Sequence, residues 1–152
     1  MRKLLRVALA AFAPPALAGC AVGPDTSYVA PVEREADAQV LGSGVAAFVG
    51  LRLSPGSTVA LTPTSWDQPN DAVTPVLADT LRRQGFGVVE GEQPAPANAH
   101  RVRYLVTSLD SGNLVRVTLD GSSEGARFFA RDTAGGLQAG GPYTVTQAEA
   151  AR

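Results

Sequence analysis

The chain holds one cysteine, one histidine, one methionine and one tryptophan among 152 residues. Lysine is as scarce, since Lys3 stands alone and every other fixed positive side chain is an arginine. That bias reads as genome composition and not as a site. A lone cysteine, Cys20, excludes an internal disulfide framework and a cysteine-rich metal centre. A lone histidine, His100, leaves serine nucleophiles a single histidine base to draw on. It follows a proline- and alanine-rich loop with no acid or cysteine near it in sequence, and reads as a surface-loop or strand-edge residue. Asp67, Asp71 and Asp79 are scattered, and capping or solvation accounts for them. Asp110 and Asp120 stand at strand ends before glycine-containing turns, where aspartate is routine. No catalytic, cofactor-binding or metal-binding residue is therefore expected, and neither is an enzyme. Long apolar runs are also missing, so no later segment of the sequence is suited to span a membrane.

What is present is concentrated at the N-terminus. Arg2, Lys3 and Arg6 precede an apolar run from about Val7 to Leu17, and Leu17-Ala18-Gly19 lead into Cys20. A basic start, an apolar middle and small residues at a cleavage point are the parts of a secretory signal. Pro14 and Pro15 interrupt the run, which is too short and too broken for a permanent membrane helix. Leu-Ala-Gly-Cys resembles the lipobox of bacterial lipoproteins, which implies cleavage before Cys20 and acylation of its thiol, palmitate included. The alternative is an ordinary secretory signal cut nearby, leaving a free thiol in an oxidising compartment. Each buried methylene contributes about 0.8 kcal/mol, so two or more acyl chains hold firmly where one does not. Ala21 follows the cysteine, in place of the aspartate associated with inner-membrane retention. By that analogy the protein is lipid-anchored in the cell envelope, at the periplasmic face of the outer membrane.

Removing residues 1–19 leaves 133 residues, enough for one domain with a real core. Three of the 13 basic residues leave with the signal, so 10 basic residues face 14 acidic ones, a formal −4. A nucleic-acid binder needs a concentrated basic surface, and none is expected here.

Residues 20–32 contain Gly23, Pro24 and Pro31 and read as an extended tether, with a single domain over 33–152. Glu33 to about Leu53 reads as a helix with Ala36, Val40, Ala47, Phe48 and Leu51 on its buried stripe. Gly42 and Gly44 weaken it by about 1 kcal/mol each, and permit close packing against a sheet or another chain. Gly42-Ser43-Gly44 lacks the preceding strand and the third glycine of a dinucleotide loop. Thr58 to Leu61 reads as a strand. A second helix follows, capped by Asn70 or Asp71, with Pro75 in its first turns and Val73, Val76, Leu77, Thr80 and Leu81 on its apolar face. Gly85 stops it, and Phe86 to Glu90 reads as a strand parallel to the first.

Beyond the loop at 91–99 the period changes to two. Val102, Tyr104 and Val106 alternate with Arg101, Arg103 and Leu105; Val115, Val117 and Leu119 alternate with Leu114, Arg116 and Thr118. Asp110-Ser111-Gly112-Asn113 is the hairpin turn between them. A third strand spans about Ala126 to Arg131. A last one spans Leu137 to Thr146, kinked at Gly140-Gly141-Pro142, with Tyr143 and Val145 on one face. The expected fold class is α+β: a two-layer sandwich whose mixed or antiparallel sheet carries one or two helices on one face, after a cleaved lipoprotein signal. Phe128 and Phe129 are neighbours in a strand and must point to opposite sides. Trp66 and Tyr143 are the other aromatic groups with contact potential. Arg101, Arg103 and Arg116 fall on one sheet face, which reads as solvated.

This layout resembles the TrbH family of conjugal transfer lipoproteins. The matching stretches are Arg52-Leu53-Ser54-Pro55-Gly56-Ser57-Thr58, Leu77 to Val89, Arg103-Tyr104-Leu105 through Arg116-Val117-Thr118-Leu119, and Arg127 to Tyr143-Thr144-Val145. The resemblance implies an accessory lipoprotein of a conjugative type IV secretion apparatus, serving mating-pair formation on plasmid systems. Its partners would be the membrane, through Cys20, and proteins of the channel assembly. Neither nucleic acid nor a small-molecule substrate is implied, and Cys20 alone carries over as a functional position. A second reading is an envelope lipoprotein that binds a ligand or lipid, as in a transport auxiliary component; an apolar cavity between helix and sheet would favour it. An enzymatic reading requires a pocket that gathers His100 with carboxylates.

Overall fold

A computed structural model describes residues 26–64, 71–91 and 94–147. The signal segment, Cys20, Trp66, Asp67 and Asn70 lie outside the described residues. The chain runs β1 (Tyr28–Val29), α1 (Glu35–Gly50), β2 (Thr58–Leu61), α2 (Val73–Arg83), β3 (Gly87–Glu90), β4 (His100–Leu109), β5 (Gly112–Leu119), β6 (Ser123–Arg131), β7 (Leu137–Ala139) and β8 (Thr144–Gln147). The eight strands form one mixed, open sheet in the order β3-β2-β4-β5-β6-β7, with β1 also paired to β4 and β8 to β6. Both helices pack on one face, giving the two-layer α+β arrangement.

The meander follows from the two-residue period. Val102, Tyr104, Val106, Val115, Val117 and Leu119 are all buried beneath the helices. Each apolar side chain removed from water contributes about 1.5–3 kcal/mol before entropy is charged against it. Antiparallel register sets Tyr104 opposite Val117, and Leu109 opposite Gly112 across the turn at Asp110-Ser111. The strand–helix–strand unit also forms, with β2 and β3 parallel from Thr58↔Gly87 to Leu61↔Glu90. Asp71 starts α2: its Oδ1 accepts the backbone N–H groups of Val73 and Thr74 at 2.9 and 3.0 Å. Gly85, at φ +88°, turns the chain out of the helix into β3.

Several expectations need correction. The helix α1 spans Glu35–Gly50, shorter than 33–53, and it buries nearly the opposite side from the expected stripe. Ala36 and Ala47 face outward, Leu51 just past the helix is 74% exposed, and of that stripe Phe48 alone is fully buried. Ala38, Leu41, Val45, Phe48 and Val49 form the core side. Apolar residues surround this helix, so spacing fits two stripes equally. The glycines decide between them. A Cβ on Gly42 would lie 2.8 Å from Val76 Cγ1 of α2, and one on Gly44 would lie 2.5 Å from Phe129 Cζ of β6.

The second correction concerns the tail. Residues 137–146 do not make one kinked strand. They make β7 and β8, both antiparallel to β6, on Phe129–Arg131 and Ser123–Ala126 respectively. The Gly140-Gly141-Pro142 segment breaks the strand instead of bending it, because proline has no N–H to continue the ladder. The third is smaller: β6 begins at Ser123, ahead of Ala126.

Within the stretch 26–32, read as part of a tether, Tyr28 and Val29 form a strand of the sheet. They pair in parallel with Leu105 and Val106, end to end with β2 along the same side of β4. Ser27 is fully buried: its N–H donates to the Pro63 carbonyl, and its Oγ lies 2.5 Å from Thr62 Oγ1.

Candidate functional site

Alternation along the strands sends Val102, Tyr104 and Val106 under the helices, and therefore Arg101, Arg103 and Leu105 to the opposite side. Across this open face run two registered rows. Tyr28 lies beside Leu105, Leu105 beside Arg116, and Arg116 beside Ala126. Arg103 lies beside Thr118, and Thr118 beside Glu124. Leu114 neighbours Phe128 in a further row. The side chains of Tyr28, Arg103, Leu105, Leu114 and Phe128 are half-buried, whereas Arg101 and Arg116 are exposed. The three arginines thus share one face, as their spacing predicted. Phe128 and Phe129 divide as expected, with Phe129 in the core at 2% exposure.

At one corner of this face lies a hollow of about 470 Å³, lined by Thr62, Ala99, Arg101, Arg103, Thr118 and Asp120 among others. Arg103 Nε donates to the Thr26 carbonyl at 2.8 Å, so the chain joins the fold beside this hollow. The fold also brings His100 to a carboxylate. His100 Nδ1 is 2.8 Å from Asp120 Oδ2, and Asp120 Oδ1 accepts the Arg101 N–H at 2.8 Å. Asp120 sits at φ 51° and its own N–H donates to the Arg101 carbonyl, closing the β4–β5 ladder. Hairpin register carries this contact, because Val102 opposite Leu119 places residue 101 opposite 120. Both side chains are about 40% exposed (39% and 42%), and the contact pins the start of β4 to the end of β5. Among the described residues, no three His, Cys, Asp or Glu side chains group to hold a metal ion.

The helix side holds two features that sequence reasoning missed. Arg127 stands between two rings, 5.4 Å from the Phe129 centroid and 5.5 Å from that of Tyr143. Tyr143 also contacts Phe48 at 5.1 Å between centroids, and its hydroxyl donates to the Gly44 carbonyl at 2.8 Å. Burial pushes the Tyr143 hydroxyl well above its ordinary pKa, with Arg127 opposing that shift. The second is Asp37, whose side chain is 5% exposed and accepts from Arg131 Nη1 at 2.9 Å. Arg34 Nε stands 3.8 Å from its other oxygen. In the neighbouring turn, Asp132 is held below the usual carboxylate range, chiefly by the Gly136 backbone N–H, with the Ala134 N–H and Gln138 adding to it. None of these has a sequence signature beyond alternating period.

A family model described as conjugal transfer protein TrbH matches residues 22–149. The chain belongs to the TrbH family. Searches of curated proteins and of solved structures gave no match. For this TrbH-family chain the match covers every described residue, including both helices and all eight strands. Among the described residues no helix is long and apolar enough to cross a membrane.

Proposed function

We propose that this TrbH-family chain is a lipid-anchored accessory protein of a conjugative type IV secretion apparatus, a docking module and not a catalyst. The observation that carries the reading is the family match over residues 22–149, which begins just past Cys20. Anchoring rests on the Leu17-Ala18-Gly19-Cys20 order, and Ala21 after the cysteine, in place of the retention aspartate, favours the periplasmic face of the outer membrane. Assembly contacts are supported by the sheet edges. All four residues of β8 are exposed, and β8 pairs only with β6 among the described strands, leaving an edge suited to strand addition. An apolar hollow of about 360 Å³ between Ala47, Leu51, Leu53, Pro55 and Phe86 offers a second contact on the helix layer. The close approach of Gly44 to Phe129 argues against a ligand cavity between the layers there.

Deleting the gene and counting transconjugants tests the role: transfer should fall sharply, and unchanged transfer rejects it. Cys20→Ser should release the protein from membranes. A variant that stays bound places the anchor elsewhere.

A further inference from the structure

The open face of the sheet has no cover within the described chain, and the route to Cys20 says what lies against it. Only five residues, 21–25, separate Cys20 from Thr26, and the six Cα-to-Cα steps reach about 20 Å when fully extended. Arg103 holds the Thr26 carbonyl, so the chain leaves the fold beside this face. A lipid on Cys20 therefore keeps the edge of this face at Thr26 within about 20 Å of the bilayer surface, roughly three headgroup layers.

Charge selects the same side. On the other side and at the rims, Arg82 pairs with Glu90, Arg83 with Asp79, and Arg34 and Arg131 with Asp37. Arg52 and Arg127 lie over aromatic rings. Arg103 and Arg116, which share the open face with Arg101 and the carboxylate of Glu124, form no ion pair among the described residues. Around them stand the half-buried Tyr28, Leu105, Leu114 and Phe128. Basic groups interleaved with a tyrosine, a phenylalanine and leucines suit the headgroup region, where aromatic rings and arginines both settle.

We propose that this face lies on the membrane that holds Cys20, with Arg103 and Arg116 against anionic phospholipid headgroups. The inference rests on the lipoprotein reading. Each arginine near an anionic surface contributes about fivefold to binding. Docking is intramolecular once the lipid is inserted, so a few such factors suffice. The helix layer and the sheet edges are then left free for protein partners.

The test uses the acylated full-length product in vesicles of phosphatidylethanolamine with phosphatidylglycerol, and in vesicles of phosphatidylcholine. Cys20 is the only cysteine, so Leu114→Cys or Ala47→Cys adds the only free thiol when Cys20 is acylated. A water-soluble maleimide should label position 114 about tenfold more slowly in the anionic vesicles, an effect that high salt reverses. Labelling at position 47, on the outward side of α1, should be equal in both. Arg116→Gln changes an exposed side chain and should restore most of the labelling at 114. Equal rates at both positions in anionic vesicles overturn the proposal. Protection at 114 that ignores lipid charge and Arg116→Gln also overturns it, because something other than headgroups then covers the face. Labelling of the parent chain itself shows a free Cys20 thiol, and the lipoprotein reading falls together with this one. A silent parent with unprotected position 114 removes the docking face alone.

Discussion

Gly44 and Gly125 set how closely α1 lies on the sheet. Their missing side chains are occupied by neighbours: Phe129 fills the space at Gly44, and the Phe48 ring fills the space at Gly125. A methyl group at either place must displace a buried aromatic ring. Gly44→Ala and Gly125→Ala should each destabilise the protein by about 1–3 kcal/mol. Gly50 is the counter-case. It ends α1 on the exposed side, and an added Cβ would meet only Gln84 Oε1, at 3.7 Å. Gly50→Ala should therefore stabilise by up to about 1 kcal/mol, the helix-propensity difference. Urea unfolding midpoints measure all three. Gly44→Ala as stable as the parent would mean that the ring contact is looser than described.

At the level of elements, α1 is fixed at its first turn by the Asp37–Arg131 pair, which ties the helix to the end of β6. Arg131→Met would leave a carboxylate that is 5% exposed with only Arg34, at 3.8 Å, to offset its charge. The cost should be about 2 kcal/mol, and adding Asp37→Leu should recover most of it, because a lone buried charge is worse than none. Chemical denaturation of the two variants checks the order. Sequence period could not have supplied this pair, which joins residues 94 positions apart. It did supply β4 and β5, where Val102, Tyr104 and Val106 alternate with Arg101, Arg103 and Leu105, and the two arginines decide which side faces solvent. It failed on α1 because alanine and valine surround that helix. There the deciding signal was Gly42 and Gly44, marking the side of closest approach. The open face was legible as three arginines on one side of a hairpin. The His100–Asp120 contact was legible only through the register of that hairpin.

For the molecule as a whole, the decisive joint is where the N-terminal segment enters the sheet. Tyr104 N–H donates to Ser27 Oγ at 3.2 Å, and Ala30 N–H to the Val106 carbonyl at 2.8 Å. While these hold, the domain sits within about 20 Å of Cys20; were β1 to unpair as far as Glu35, the reach would grow to about 50 Å. Tether length is thus set by the local stability of a two-residue strand, and hydrogen exchange reads it directly. The Ala30 amide should be protected nearly as strongly as the Tyr104 and Val106 amides of β4. Ser27→Ala removes the acceptor for the Tyr104 N–H and the hydroxyl contact to Thr62. An unsatisfied buried donor costs about 1–3 kcal/mol, so exchange at Ala30 should accelerate by about tenfold or more. The far β5–β6 ladder, from Gly112↔Ala130 to Leu119↔Ser123, should keep its rates. Fast exchange at Ala30 in the unaltered protein would show that β1 opens freely, and the domain would then ride on the longer tether.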